Sequence, residues 1–139
     1  MYRNILVPSD IANAGRGKAM VAKAKALRDT GGKITLLNVV ESFQGFVMAE
    51  IPTSVFEDRE KEAAAAIRTL ADALGGGFEI AVRTGKPAAE ILQAAKDGGV
   101  DLIVIASHNP GMQDFFIGST AARVVRHAHC SVLVDRRPD

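Results

Sequence analysis

The sequence is poor in cysteine and in large aromatic residues, and it has no long hydrophobic run. Its single cysteine, Cys130, excludes a disulfide within the chain and favours a reducing compartment, so a cytoplasmic location is expected. The absence of tryptophan, with only one tyrosine, argues against an aromatic platform for single-stranded nucleic acid. No apolar run approaches the ~18–20 residues that cross a bilayer, and no signal peptide is expected before the first strand.

Positively and negatively charged residues are almost equal in number. Lysine and arginine total 17, and aspartate and glutamate total 16, which gives a formal net charge of +1. This balance excludes the broad basic surface that is typical of nucleic-acid or anionic-membrane binding. The length of 139 residues is typical of one domain with its own core, so we expect residues 1–139 to form a single domain.

Apolar runs typical of strands alternate along the chain with segments of helical periodicity. Glycine pairs or triplets follow the first three helical segments, where they favour the end of a helix. This order predicts an α/β fold, a three-layer doubly wound parallel sheet of five strands in the order 3-2-1-4-5. Strands are predicted at 5–7, 34–40, 78–84, 102–106 and 131–134, and helices at 19–27, 63–74, 87–95 and 119–128.

The most informative segment runs from Leu102 to Thr120. It begins with a β-branched apolar run, typical of a strand covered on both faces, and continues with eleven residues, 107–117, that include glycine, proline, asparagine and serine. Gly118, Ser119 and Thr120 then open a helix. A glycine-bearing loop that enters a helix presents free backbone N–H groups and the positive end of the helix dipole. The segment therefore predicts an anion site, with a nucleotide phosphate as the expected ligand.

Two further strand ends are expected beside this loop. Pro8-Ser9-Asp10 follows the first strand, and Val39 lies near the end of the second. In doubly wound sheets, ligands bind beyond the carboxyl ends of the strands, where the strand order reverses. We expect Asp10 to accept hydrogen bonds from adenine or ribose. We expect the backbone near Val39 to pair with the adenine edge, and residues 118–120 to hold the phosphates.

The chain resembles the universal stress protein family along nearly its whole length. The resemblance rests on the opening Asn4 to Asp10, the helix start Gly85-Lys86-Pro87, the segment Asp101 to His108, the run Gly118 to Ala128 and the tail Cys130 to Val134. It implies an adenine nucleotide α-hydrolase-like fold, a homodimer and, in many members, ATP with a divalent metal. AMP or ADP are alternative occupants, and Mg²⁺ or Mn²⁺ would be held mainly by the phosphates. The nucleotide-binding residues that the resemblance implies are Pro8, Ser9, Asp10, Val39, Ile105, Ala106, His108, Asn109, Gly118, Ser119 and Thr120.

The glycine signature of this chain departs from the usual form in the family. That form is G-x-x-G, nine residues, then G followed by Ser or Thr. Here Ala106 and Asn109 occupy the first two glycine positions, and eight residues separate Asn109 from Gly118. The shortened loop with Pro110 resembles the F- and G-type branch, whose members are generally regarded as nucleotide binders. Asparagine tolerates left-handed backbone geometry better than most residues, so the turn is expected to survive.

Rival site patterns are incomplete. The dipeptides Gly32-Lys33 and Gly85-Lys86 lack the upstream glycine of a phosphate-binding P-loop, and no G-x-G-x-x-G follows the first strand. A receiver-type phosphoacceptor is missing after the third strand, and Asp10 lacks the second nearby Asp that would hold Mg²⁺ for aspartyl-phosphate chemistry. His127, His129 and Cys130 are metal-ligand types, but the two histidines at a helix end point apart, so we favour a structural role.

The last predicted strand is a short aliphatic edge. Family members pair this strand antiparallel with its twin, so the resemblance implies a homodimer through Ser131, Val132, Leu133 and Val134. The segment 41–53, beside the predicted site, contains several apolar residues. It is expected either to close over the adenine or to meet a protein partner.

Three classes of function remain open on the sequence. The leading interpretation is an ATP-binding stress protein that acts as a nucleotide-dependent switch or sensor without fast chemistry. The second is a slow ATPase or phosphotransferase, against which the sequence shows no evident general base or arginine finger. The third is a nucleotide-free dimeric interaction module, which the substitutions at Ala106 and Asn109 favour.

Overall fold

A computed structural model of the chain describes residues 1–10, 14–42, 52–107 and 117–136. Strands and helices alternate through these ranges, as the sequence pattern predicts. The strands are β1 (Tyr2–Pro8), β2 (Arg28–Glu41), β3 (Glu79–Gly85), β4 (Leu102–Ala106) and β5 (Ser131–Asp135), and the helices are α1 (Ala14–Leu27), α2 (Thr53–Ala73), α3 (Pro87–Asp97) and α4 (Ser119–His127).

The strands form one parallel five-stranded sheet in the order β3-β2-β1-β4-β5, which confirms the predicted fold class and strand order. β1 is central, because Leu6 pairs with Thr35 of β2 on one side and with Ile103 of β4 on the other. The chain builds one half of the sheet outward from β1 and then returns to add β4 on the opposite side. This change of direction separates the carboxyl ends of β1 and β4, where doubly wound sheets bind their ligands.

Helices cover both faces of the sheet because successive residues of a strand point to opposite sides. Ile5 and Val7 face the layer that contains α1 and α2, whereas Leu6 faces the layer that contains α3 and α4. This arrangement confirms the predicted three layers. The buried helix residues of the two layers include Met20, Ala24 and Ile67 on the first side and Ile91, Ala121 and Val124 on the second.

Two element boundaries differ from the sequence prediction. α1 ends at Leu27 and β2 begins at Arg28, before the Gly31-Gly32 pair that we expected to end the helix. An irregularity in the pairing of β1 with β2 accommodates this early segment, in which Gly31 has a φ of 82°. α2 begins at Thr53 rather than near Ala63, because its first turns are mostly charged and exposed and therefore carry no apolar periodicity.

None of the described helices is long and apolar enough to cross a membrane. The longest of them, α2, has 21 residues and carries charged side chains along most of its length. Its buried residues form a narrow stripe, Ala63, Ile67, Leu70 and Ala71.

Candidate functional site

A cavity of about 320 Å³ lies at the carboxyl edge of the sheet, where the ends of β1, β2 and β4 meet the first turns of α1, α3 and α4. Seven of the eleven residues that we predicted for the nucleotide site line this carboxyl-edge cavity: Pro8, Ser9, Asp10, Val39, Ile105, Ala106 and Thr120. The topology therefore brings together residues from all three predicted strand ends. The other lining residues are Arg16, Gly17, Met20, Leu37, Asn38, Glu41, Pro87 and Ile91.

Four predicted site residues are not among those that line the cavity in the described part of the chain. Gly118 and Ser119 lie directly before Thr120 at the start of α4. His108 and Asn109 lie outside the described residues, as does most of the segment 41–53 that we expected to close over the adenine or meet a partner.

Buried hydrogen bonds fix the backbone where the chain leaves β1. The Ser9 N–H donates to the Leu37 carbonyl at 2.7 Å, and the Asn38 Nδ2 donates to the Ser9 carbonyl at 3.0 Å. The Ser9 hydroxyl donates to the Val7 carbonyl at 3.2 Å. Ser9 and Asn38 are only 6% and 9% exposed, so these bonds satisfy polar groups whose burial would otherwise be unfavourable. Asp10 follows as an exposed residue at the cavity wall.

The end of β2 extends past the end of β1. Pro8 pairs with Leu37, and this is the last pair of the two strands. The Leu37 carbonyl points to the β1 side, where it accepts the Ser9 N–H. Because alternate residues of a parallel strand direct their backbone groups to the same side, Val39 directs its N–H and C=O past the end of β1. Val39 lines the cavity, so its backbone offers a donor and an acceptor there.

One backbone hydrogen bond joins the two ends of the loop that follows β4. The Ser107 carbonyl accepts the N–H of Gly118, and the Ser107 N–H donates to the Asp135 carbonyl at 3.1 Å. Ser107 is almost completely buried, and the buried Asp135 carboxylate forms an ion pair with Lys23 of α1. The two ends of the predicted phosphate loop are therefore joined to each other and to the end of β5.

α4 begins at the carboxyl edge without a side-chain cap. Gly118, at the N-cap position, has a φ of −60° and a ψ of 155°, and its carbonyl accepts the Ala122 N–H at 2.9 Å. No side-chain hydrogen bond caps this helix within the described ranges. The first-turn N–H groups, together with the positive end of the helix dipole, therefore face the edge of the sheet. Anions bind at helix N-termini through this arrangement.

Among the described residues, three charged side chains line the cavity, and of these only Asp10 is one of the eleven predicted nucleotide-binding residues. Arg16 comes from the first turn of α1, and Glu41 ends β2. The pattern misses Arg16 because its turn contains two glycines and lacks apolar periodicity, so that the helix is predicted only from residue 19. Asn38 had a sequence signal, because it is a lone amide within the otherwise apolar run 36–40.

The lining residues can supply only part of a metal site. The described residues contain no group of three or more His, Cys, Asp or Glu side chains that could hold a metal ion. Asp10 and Glu41 are hard oxygen donors at the cavity, which suit Mg²⁺ or Mn²⁺. Phosphate oxygens of a bound ligand would have to supply further ligands to such an ion.

A second cavity, of about 520 Å³, lies at the amino edge of the sheet, between the C-terminal ends of α3 and α4. His127, His129 and Cys130 line this amino-edge cavity together with apolar residues such as Leu92. Burial raises the pKa of the Cys130 thiol, and the Asp101 carboxylate raises it further. The thiol therefore stays protonated at neutral pH, and in that form it is a poor nucleophile and a poor metal ligand.

The sequence and the fold both match known proteins. A model of the universal stress protein family matches residues 1–136. Universal stress protein G of Escherichia coli O157:H7 is 30% identical over 142 residues, which cover 98% of this chain and 100% of that relative. The solved structure of hypothetical protein MJ0577 superimposes with a TM-score of 0.78 at 25% identity, over 96% of this chain and 95% of that one.

Two more distant solved structures share the fold and hold adenine nucleotides. A universal stress protein in complex with cAMP has a TM-score of 0.61 at 21% identity, over 96% of this chain and 96% of that one. The universal stress protein from Archaeoglobus fulgidus in complex with dAMP has a TM-score of 0.61 at 20% identity, over 96% of this chain and 97% of that one.

Proposed function

The chain belongs to the universal stress protein family, and we propose that it binds an adenine nucleotide in the carboxyl-edge cavity as a nucleotide-dependent switch or sensor. The ligand that we favour is ATP with Mg²⁺ or Mn²⁺, with ADP and AMP as alternative occupants. The observation that carries the proposal is the convergence of seven predicted residues on one cavity, beside a helix N-terminus without a side-chain cap. Two proteins of the same fold that hold cAMP and dAMP support an adenine nucleotide as the class of ligand.

We assign the adenine and the ribose to the side of the cavity formed by β1 and β2. The backbone of Val39 offers one donor and one acceptor, which matches the pattern of an adenine edge. The Asp10 carboxylate is an acceptor for the ribose hydroxyls. The hydrogen bonds of Ser9 to Leu37 and Asn38 hold this backbone in place before a ligand arrives, so that binding requires less ordering.

We assign the phosphates to the side of the cavity formed by β4 and α4. Gly118 has no Cβ, so phosphate oxygens can approach the first-turn N–H groups of α4 closely. The Thr120 side chain lines the cavity and adds a hydroxyl donor. A divalent metal would neutralise part of the phosphate charge. Asp10 and Glu41 line the same cavity and are the carboxylates that could bind such a metal.

A slow ATPase is the second candidate, because Arg16 and two carboxylates line the same cavity as the proposed phosphate site. Such groups can stabilise charge during phosphoryl transfer, although they serve binding equally well. Phosphate release at saturating ATP–Mg²⁺ separates the two functions. Turnover slower than about one per hour supports the switch, because typical enzymes turn over at ~1–10³ s⁻¹.

Titration calorimetry of ATP–Mg²⁺ into protein stripped of copurified nucleotide tests the main proposal. We expect saturable binding at about one ATP per chain with a Kd on the order of micromolar. Mass spectrometry of the stripped fraction is expected to detect an adenine nucleotide. The absence of both heat and thermal stabilisation with ATP, ADP and AMP would reject the proposal and favour the nucleotide-free dimeric interaction module.

We also propose that the protein is a homodimer through the outer edge of β5. This strand has a neighbour, β4, on one side only. The Asp135 carbonyl accepts a hydrogen bond from Ser107 beyond β4, so Val132 and Val134 direct their backbone groups the other way, outward from the sheet. An outward row of N–H and C=O groups beside aliphatic side chains favours antiparallel pairing with a second copy.

Val132→Pro tests the dimer because proline removes an outward N–H and leaves the hydrogen bonds between β5 and β4 intact. We expect size-exclusion chromatography with light scattering to show a dimer for the wild type at tens of micromolar and a monomer for this variant. Val132→Thr is the matched control, since it keeps the N–H and the side-chain shape, and it is expected to stay dimeric. A monomeric wild type or a dimeric Val132→Pro would contradict the assignment.

A further inference from the structure

Arg16 is the one basic side chain that lines the carboxyl-edge cavity in the part of the chain that the structure describes. It is half-buried and lies in the first turn of α1, which contains no acidic residue. A positive side chain opposes the dipole at the N-terminus of a helix. A phosphate bound beside Arg16 would add negative charge at this helix end, where negative charge is favourable.

The charge of the cavity makes Arg16 important for any phosphate that enters it. Among the described residues, two carboxylates, Asp10 and Glu41, line the cavity with one guanidinium, so these side chains carry a net negative charge even with Arg16 present. Carboxylates repel a phosphate, and each helix N-terminus that meets the cavity offers only about half an elementary charge in compensation. Arg16 supplies a full positive charge.

We propose that Arg16 gives the cavity its preference for phosphorylated ligands, by pairing with a phosphate group that also faces the N-terminus of α4. Arg16 of α1 and Thr120 of α4 line the same cavity, so a phosphate held between the two helices meets donors from both. The planar guanidinium presents its N–H groups in a fork that fits two phosphate oxygens, a geometry that lysine lacks. Adenosine carries no phosphate and gains nothing from this contact. Arg16 has this role only if adenine nucleotides bind in the cavity, so the assignment rests on the proposed function.

Titration calorimetry with adenosine, AMP and ATP–Mg²⁺ tests this role on stripped wild-type protein and three variants. Arg16→Gln removes the charge, and Arg16→Lys keeps the charge without the fork. Lys18→Gln is the matched control, because it removes a positive charge from an exposed residue two positions further along α1 that does not line the cavity. The unfolding temperature of each variant without ligand verifies that it folds.

We expect Arg16→Gln to weaken AMP and ATP binding about 10- to 100-fold, as for the loss of a charged hydrogen bond, with less than about a twofold change for adenosine. Arg16→Lys is expected to be intermediate, and Lys18→Gln is expected to bind all three ligands as the wild type does. The ATP affinity of Arg16→Gln is also expected to fall less steeply with salt.

Two results would overturn the role of Arg16 and leave the proposed function intact. One is ATP binding by Arg16→Gln at wild-type affinity, and the other is an equal loss for adenosine and ATP, which would indicate a structural role. Wild-type protein that binds none of the three ligands would overturn the proposed function as well.

Discussion

The amino-edge cavity and the carboxyl-edge cavity lie at opposite edges of the sheet, and the larger of these two is the less polar. The amino-edge cavity has a volume of about 520 Å³ and is lined partly by apolar side chains such as Leu92 and Val100. The carboxyl-edge cavity has about 320 Å³, but three charged side chains and the buried amide of Asn38 line it. Volume alone would favour the amino-edge cavity over the carboxyl-edge cavity. We place the ligand where polar groups converge, because a few well-placed polar groups are what orients a bound ligand.

The helix dipoles explain the basic residues at one edge and not at the other. Lys96 and His127 line the amino-edge cavity from the last turns of α3 and α4, where basic side chains favourably meet the negative ends of the dipoles. Arg16 lies in the first turn of α1, where the dipole opposes its charge. The dipole therefore accounts for the basic residues at the amino edge but not for Arg16 at the carboxyl edge.

The largest expected effect comes from blocking the carboxyl edge at the start of α4. Gly118→Val places a branched side chain where a phosphate must approach the first-turn N–H groups, so ATP affinity is expected to fall at least about 100-fold. Gly118 has a φ of −60°, which valine also adopts, so the variant is expected to fold. Titration calorimetry measures the affinity, and the unfolding temperature without ligand verifies the fold.

Ala128→Val is the matched change at the opposite edge. It enlarges a side chain at the amino-edge cavity, where the backbone is extended and accepts valine. We expect its ATP affinity to equal that of the wild type. A similar loss of affinity in both variants would remove the functional distinction between the two edges.

The next effect concerns the stability of the carboxyl edge itself. Asn38→Ala removes the donor that bonds the Ser9 carbonyl at 3.0 Å, in a position where Asn38 is only 9% exposed. The variant leaves a buried carbonyl without this partner, so the free energy of unfolding is expected to fall by about 1–3 kcal/mol. Urea unfolding measures the change. Thr35→Ala, at a half-buried position of the same strand, is the comparison variant, and we expect it to lower the free energy of unfolding by less. Equal losses in the two variants would show that the buried amide has no special role.

The sequence predicts most of the fold because the central strands are marked by uninterrupted apolar runs. Ile5-Leu6-Val7 of β1 and Leu102 to Ile105 of β4 are buried on both faces, as such runs indicate. With helices between consecutive strands and right-handed crossovers, few topologies remain. The strand ends Pro8 to Asp10 and Val39 could be placed at one cavity for the same reason, since they follow from the strand order.

Two polar residues of the cavity, Arg16 of α1 and Asn38 of β2, could not be predicted in this way. The position of Arg16 depends on how α1 packs across the sheet, which is a tertiary property that local periodicity does not contain. Asn38 is visible in the sequence as an unusual amide, but its partner, the Ser9 carbonyl, lies on the neighbouring strand. His108 and Asn109 stay predictions, because they lie outside the described residues.

The smallest expected effect is at the amino edge and concerns Cys130. Burial, with a contribution from Asp101, raises the pKa of its thiol, so the native protein keeps this proton where the unfolded chain loses it. The contribution of this thiol to the free energy of unfolding is fully present below the unfolded pKa of about 8.5. It is lost as pH rises from there through the higher pKa of the folded protein. In urea unfolding at pH values from about 7 to 10, the wild type is therefore expected to lose stability slightly more steeply than Cys130→Ala.

Thiol labelling gives an independent measure of the same group, because the chain has one cysteine. At mildly alkaline pH, native Cys130 is expected to react more slowly with a disulfide reagent than the same residue in urea-unfolded protein, since the thiolate is the reactive form. Labelling of the native protein at the unfolded rate would mean that the thiol ionises freely. In that case the amino-edge cavity would hold a reactive thiol, and the two edges could no longer be distinguished by the absence of a reactive group at the amino edge.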